Sequence, residues 1–161
     1  MGLDQYFYIK RNDDIINKFY YRDFGALHLY MCKLYNHDLE SKEYPLLLKD
    51  VCDLKNKVKS LLLIIFDEKV LNSEWSVECN PITNSIIIAD NENNNIEVDI
   101  TNEFIMESKK TFPISNMYYW GSTDYDAIHV NYMLLLYKYF LNIEDILNKD
   151  SSLKLTYDSW W

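Results

Sequence analysis

The chain has 161 residues, 48% of them hydrophobic, enough length and apolar content to bury one core, which excludes intrinsic disorder and the small cysteine-stapled class. Its 25 acidic residues against 16 Lys and Arg leave a formal charge of −9, which disfavours direct binding to nucleic-acid phosphates, where clustered Lys and Arg are needed. Cys32, Cys52 and Cys79 are odd in number and show no paired spacing, so free thiols in a reducing compartment are expected.

Residues 2–10 alternate, with Leu3, Phe7 and Ile9 on one side and Asp4, Tyr6 and Tyr8 on the other, which predicts a strand, and large side chains on both sides imply either an interior position or a covered sheet. Asn12, Asp13 and Asp14 mark a turn, and IINKFYY continues as a second strand. A helix is predicted from Asp23 to Asn36, with Asp23 as its cap and Phe24, Leu27, Met31 and Leu34 on the buried stripe. His28 and Cys32, one turn apart, have the spacing of a zinc-ligand pair; no second such pair accompanies them, and a histidine hydrogen-bonded to a neighbour is the favoured reading. A second helix is predicted at about 43–66, where Leu47, Val51, Leu54, Val58, Leu61 and Ile65 recur at helical spacing and Pro45 suits the first turn.

The segment 67–107 holds ten acidic residues against the single Lys69. SIIIAD and NIEVDIT, joined by NENNN, read as an acidic β-hairpin insertion, with WSVE as a further strand. Asp90, Glu92, Glu97, Asp99 and Glu103 are the candidate protein-binding residues, because such a face attracts a basic partner; solvated acidic loops are the plainer alternative.

The stretch from Tyr118 to Leu147 organises the rest. Tyr125, Ile128, Tyr132, Leu135, Tyr139, Ile143 and Ile146 form the stripe expected to face the core. Thr123 and Asp126 are spaced as a capping box, and Gly121, Ser122 and Thr123 are either an ordinary helix start or a small anion-binding corner. SLKLTYDSWW reads as a last strand with Leu153, Leu155 and Tyr157 on one face and Lys154, Thr156 and Asp158 on the other; Trp160 and Trp161 are either docked or offered to a partner.

Neither a nucleophile elbow nor a phosphate loop is present, and three glycines cannot build a glycine-rich cradle, so no catalytic residue and no cofactor is assigned. An alternative is a small-ligand or nucleotide site lined by Asp4, Tyr6, Arg22, His28, Tyr119, Ser122 and Asp126, with aromatic stacking for a base and Arg22 for an anion. No apolar run reaches the length of a membrane span, the opening residues lack a signal-peptide pattern, and Tyr6 stands where a myristoylation motif wants Ser or Thr, so a cytoplasmic chain without membrane contact is expected.

MGLDQYFYIKR resembles the MGLD-x-Y opening of a group of small uncharacterised bacteriophage and prophage proteins. YYRDFGALHLYM is similar to that family's YWRKAN-x-IH-x-WF block at Tyr20, Arg22, Ala26 and His28, and MYYWGSTDYD to its GFFFGST-x-YD block at Gly121, Ser122, Thr123, Tyr125 and Asp126. LLLKDVCDLKNKVKSLL resembles the family's amphipathic helix, Cys52 included. The resemblance covers about 1–66 and 112–147; the acidic segment is longer than the family's link and the terminal strand is extra. It implies a mobile-element origin, hence the cytoplasm of a bacterial host, and carries no activity.

Together these readings predict one α+β domain over 1–161, two or three helices covering a mostly antiparallel sheet. The expected role is that of a phage accessory protein that binds, and inhibits, a basic host defence or nucleic-acid-processing protein. A homo-oligomeric structural component is a third reading.

Overall fold

The computed structural model describes residues 2–36, 42–92, 94–114 and 124–160. In chain order the elements are β1 (Asp4–Arg11), β2 (Asp14–Arg22), α1 (Gly25–Tyr35), β3 (Tyr44–Leu46), α2 (Leu48–Leu62) and α3 (Glu68–Asn72), then β4 (Trp75–Asn80), β5 (Ser85–Asp90), β6 (Asn95–Asp99), α4 (Asn102–Thr111), α5 (Ala127–Lys149) and β7 (Leu153–Trp160). The fold is α+β. A four-stranded sheet runs β2-β1-β7-β3 and a three-stranded one β4-β5-β6, with every neighbouring pair antiparallel.

The first hairpin turns through Asn12 and Asp13, where Asn12 takes the positive φ of 55° that a two-residue connection requires. Beyond it, alternation decides which side chains enter the core: Gln5, Phe7 and Ile9 of β1, Leu155, Tyr157 and Ser159 of β7, and Tyr21 of β2 all point inward and are buried. The opposite side of that sheet carries Asp4, Tyr6, Tyr8, Lys18, Tyr20, Arg22, Thr156, Asp158 and Trp160.

Helix α5 lies between the two sheets. On one side Phe140 meets Phe7 edge to face at 5.1 Å and Tyr139 stacks on Phe19 at 4.2 Å; on the other the Lys138 ammonium sits 4.9 Å from the Trp75 ring of β4. Helix α2 packs along it through buried Val51, Leu54, Val58 and Leu61, and Lys55 of α2 pairs with Glu144 of α5.

This two-sided packing corrects the predicted stripe. Tyr125, Tyr139 and Ile143 are buried, but Ile128 and Leu135 are 36% and 37% exposed, while Ala127, Val130, Met133, Leu134, Leu136, Tyr137 and Phe140 fill the core. A helix covered on two sides buries a wider arc than a single stripe, and its centre shifts accordingly.

Other boundaries differ as well. Pro45 belongs to the short strand β3, because Tyr44 and Leu46 alternate inward against β7, and the second helix starts only at Leu48. Asp23 does not cap α1: it has φ 57°, its Oδ1 accepts from the Leu3 amide at 2.7 Å, and the N-cap is Phe24. Leu34 of the α1 stripe is exposed. The acidic hairpin and the WSVE strand form one three-stranded meander, flanked by two helices that the spacing does not predict, α3 before it and α4 after it, the latter capped by Thr101 accepting from the Phe104 amide. Asp126 caps α5 by accepting from the His129 amide at 3.0 Å; Gly121, Ser122 and Thr123 lie outside the described residues.

Candidate functional site

The meander turns most of its apolar residues inward and most of its acids toward solvent. Ile86 and Ile88 are buried, with Val77, Cys79 and Val98 packed beside them. The register brings Glu78, Ile87 and Glu97 into one row across the outer face, with Ser85 and Asp99 paired in the row behind. Glu78, Glu97 and Asp99 are exposed, and β6 is an edge strand. Glu78 and Glu97 are separated by two strand spacings, about 10 Å, close to the screening length at ordinary ionic strength, so their mutual repulsion is mild. Among the described residues no ion pair involves Glu74, Glu78, Asp90, Glu92, Glu97, Asp99 or Glu103. The negative field of this face is therefore not cancelled locally.

Two of the five predicted protein-binding acids have structural duties too. Asp90 accepts from the amides of Glu92 and Asn94 and from the Asn94 side chain, each at 2.9 to 3.0 Å, which shapes the β5–β6 turn. Those bonds, the Asn94 side chain foremost, hold its carboxyl below the usual range. Glu103 sits in the first turn of α4, where the helix dipole favours a carboxylate. Glu92, Glu97 and Asp99 carry charge without such duties in the described chain.

The alternative ligand set is divided by the four-stranded sheet. Asp4, Tyr6 and Arg22 share its outer face, where Asp4 pairs with Arg22 in register and accepts a hydrogen bond from the Tyr20 hydroxyl at 2.5 Å. That bond, ahead of burial and the Asp4 charge, pushes the Tyr20 hydroxyl up to about 12. Arg22 reaches the Asp23 carboxylate at 3.7 Å. His28 is on the inner side of the sheet, and Asp126 is at the start of α5. These residues do not surround one pocket; Tyr119 and Ser122 lie outside the described residues.

Below the sheet runs a buried polar chain. Gln5 accepts from the Phe24 amide at 3.0 Å and donates to the Tyr157 hydroxyl at 3.0 Å, His28 Nδ1 lies 3.3 Å from that hydroxyl, and Cys32 Sγ lies 3.4 Å from His28 Nε2. A thiol beside an imidazole is the layout of an activated nucleophile. Here both ring nitrogens have partners and His28 is 1% exposed, so the chain acts as a satisfied polar tie between β1, β7 and α1. No group of three or more His, Cys, Asp or Glu able to hold a metal occurs among the described residues.

A second histidine stands at the joint of the two sheets. His129 is packed edge-on against Phe24 and Tyr125, its Nε2 is buried without a hydrogen-bond partner among the described residues, and burial pushes its pKa down to about 3. Beside it, Asn84 in the β4–β5 turn takes φ 52° and its side chain accepts from the Ala127 amide at 2.8 Å. The meander thereby supplies an acceptor to the first turn of α5.

No family model, curated protein or solved structure matches the chain. Among the described residues no helix is long and apolar enough to cross a membrane.

Sequence reasoning missed Asp158 and Trp160 as a pair. Their signal was the alternation in SLKLTYDSWW, which assigns both to the outer side of the sheet.

Proposed function

We propose that this chain is a bacteriophage-type accessory protein that acts by binding, with the outer face of the β4–β6 meander meeting a basic surface on a host defence or nucleic-acid-processing protein and inhibiting it. One observation carries the reading: acids on the meander and its turn face solvent with no ion pair among the described residues. Uncompensated charge of one sign accelerates encounter with a surface of the other sign and suppresses wrong partners. The resemblance in the first block and around Gly121 to Asp126 supports the mobile-element setting. The small-ligand alternative draws no support from the division of Asp4, Tyr6 and Arg22 from His28 across a sheet.

The test is a triple reversal, Glu92→Lys, Glu97→Lys and Asp99→Lys, which leaves Asp90 to hold its turn. The tagged wild type is expected to retain a basic protein from bacterial lysate at low salt and release it at high salt, with the variant retaining none. An unchanged melting curve would show that the fold survives. Equal retention of that protein by the variant would remove the meander from the interface.

A further inference from the structure

Asp158 is 5% exposed, yet it belongs to the outer side of the four-stranded sheet, between solvent-facing Thr156 and Trp160. Its Oδ2 accepts from the Trp160 indole N–H at 2.7 Å, and its Oδ1 is buried with no hydrogen-bond partner among the described residues. A buried carboxylate oxygen left without a donor is costly, and native folds keep few of them.

The surroundings are aromatic. Tyr6 stands opposite Asp158 in register, Tyr6 and Tyr8 stack with centroids 5.7 Å apart and planes at 9°, and Tyr20 lies 5.2 Å from Tyr6. The Tyr8 hydroxyl is pushed up, first by burial and next by the Asp158 charge. These ring faces already draw cations: Lys18 Nζ is 4.3 Å from the Tyr6 centroid and Lys10 Nζ is 5.7 Å from that of Tyr8. Among the described residues no cation pairs with Asp158. Lys10 is paired with Glu43, Arg22 with Asp23, and Asp4 is engaged by Tyr20.

We propose that Asp158, with Tyr6, Tyr8 and Trp160 around it, is a socket for one arginine side chain of a partner protein. A guanidinium is planar, so it can lie against a ring while its edge donates to the one free carboxylate oxygen; an ammonium offers no such plane. The Trp160 ring is the movable cover. It is 53% exposed and held to the carboxylate by a single hydrogen bond, and turning it aside opens Oδ1. The partner chemistry rests on the protein-binding reading, but this socket is on the other sheet from Glu97 and Asp99, so either surface can fail without the other.

The test needs no partner. N-acetyl-L-arginine amide is titrated into the labelled protein while the indole N–H signal of Trp160, assigned with Trp160→Phe, is followed by NMR. A saturable shift is expected for the wild type. Asp158→Asn keeps an acceptor for the indole and is expected to weaken binding by about tenfold or more. N-acetyl-L-lysine amide should bind severalfold more weakly than the arginine compound, and the norleucine analogue should leave the signal unmoved. Trp160→Phe removes the competing donor and keeps a ring, so calorimetry on that variant should give tighter arginine binding; this reading remains decisive if Asp158→Asn fails to fold. An unsaturable shift, equal binding by Asp158→Asn, a lysine preference, or weaker binding by Trp160→Phe would each overturn the proposal.

Discussion

The two sheets are built from opposite kinds of sequence relation. The meander is local: β4, β5 and β6 follow one another through short turns, one face buried and the other acidic. The four-stranded sheet is assembled from afar, since β1 pairs with β7 over their whole lengths and joins residues 4–11 to residues 153–160. Non-local pairing forms only after a large loss of chain entropy, so its stability has to come from burial. It does: Phe7, Ile9, Leu155 and Tyr157 are all shut from water. One sheet is a foundation and the other an appendage with a charged display, and substitutions should behave accordingly.

The largest effect is expected from the foundation. Phe7 meets Tyr139, Phe140 and Tyr157 with centroids 5.1 to 5.9 Å away, so Phe7→Ala should cost about 3–5 kcal/mol and shift the whole urea transition, both sheets unfolding together. A transition that splits, with the meander melting at its old midpoint, would show the two sheets to be independent units.

The joint comes next. His129 has a folded pKa of about 3 against an ordinary 6.5, so below pH 6.5 the unfolded chain takes up a proton that the folded one refuses. Its contribution is complete above pH 6.5, declines as pH falls and levels off below about 3, amounting to roughly 3 kcal/mol lost by pH 4. Urea titrations at several pH values should therefore show the wild type losing stability faster than His129→Leu on acidification. Parallel profiles would refute the assignment.

The smallest effect belongs to the latch. Asn84→Ala removes the acceptor of the Ala127 amide and places alanine at a positive φ, together about 1–2 kcal/mol, whereas Asn84→Gly removes only the bond. Amide hydrogen exchange should speed up through β4–β6 in both variants, more in the alanine one, and stay unchanged in β1 and β7. Equal acceleration in both sheets would erase the distinction between foundation and appendage.

Much of the fold was legible because alternation is a local signal. Leu3, Phe7 and Ile9, and Leu155 with Tyr157, are buried as their spacing implies, and IINKFYY, SIIIAD and NIEVD form strands, the last ending before Ile100. What spacing could not convey is partnership. Nothing in GLDQYFYIK says that its neighbour is SLKLTYDSWW, and without that pairing Pro45 reads as a helix start rather than as part of β3 against β7. Helix α4 escaped notice because only Phe104 and Ser108 are buried along it, too few to make a stripe. At the candidate site, composition disclosed the acidic segment, but the turn bonds of Asp90 and the enclosed carboxylate of Asp158 depend on neighbours that a linear reading does not reveal.

Asp4 stands directly across from Trp160, on antiparallel strands. Tension applied between residues 4 and 160 would load that one pair first, and the ladder would then part bond by bond, as a zipper opens, instead of resisting in shear along its length. The sheet that burial makes hardest to dissolve is, by the direction of its strands, easy to peel.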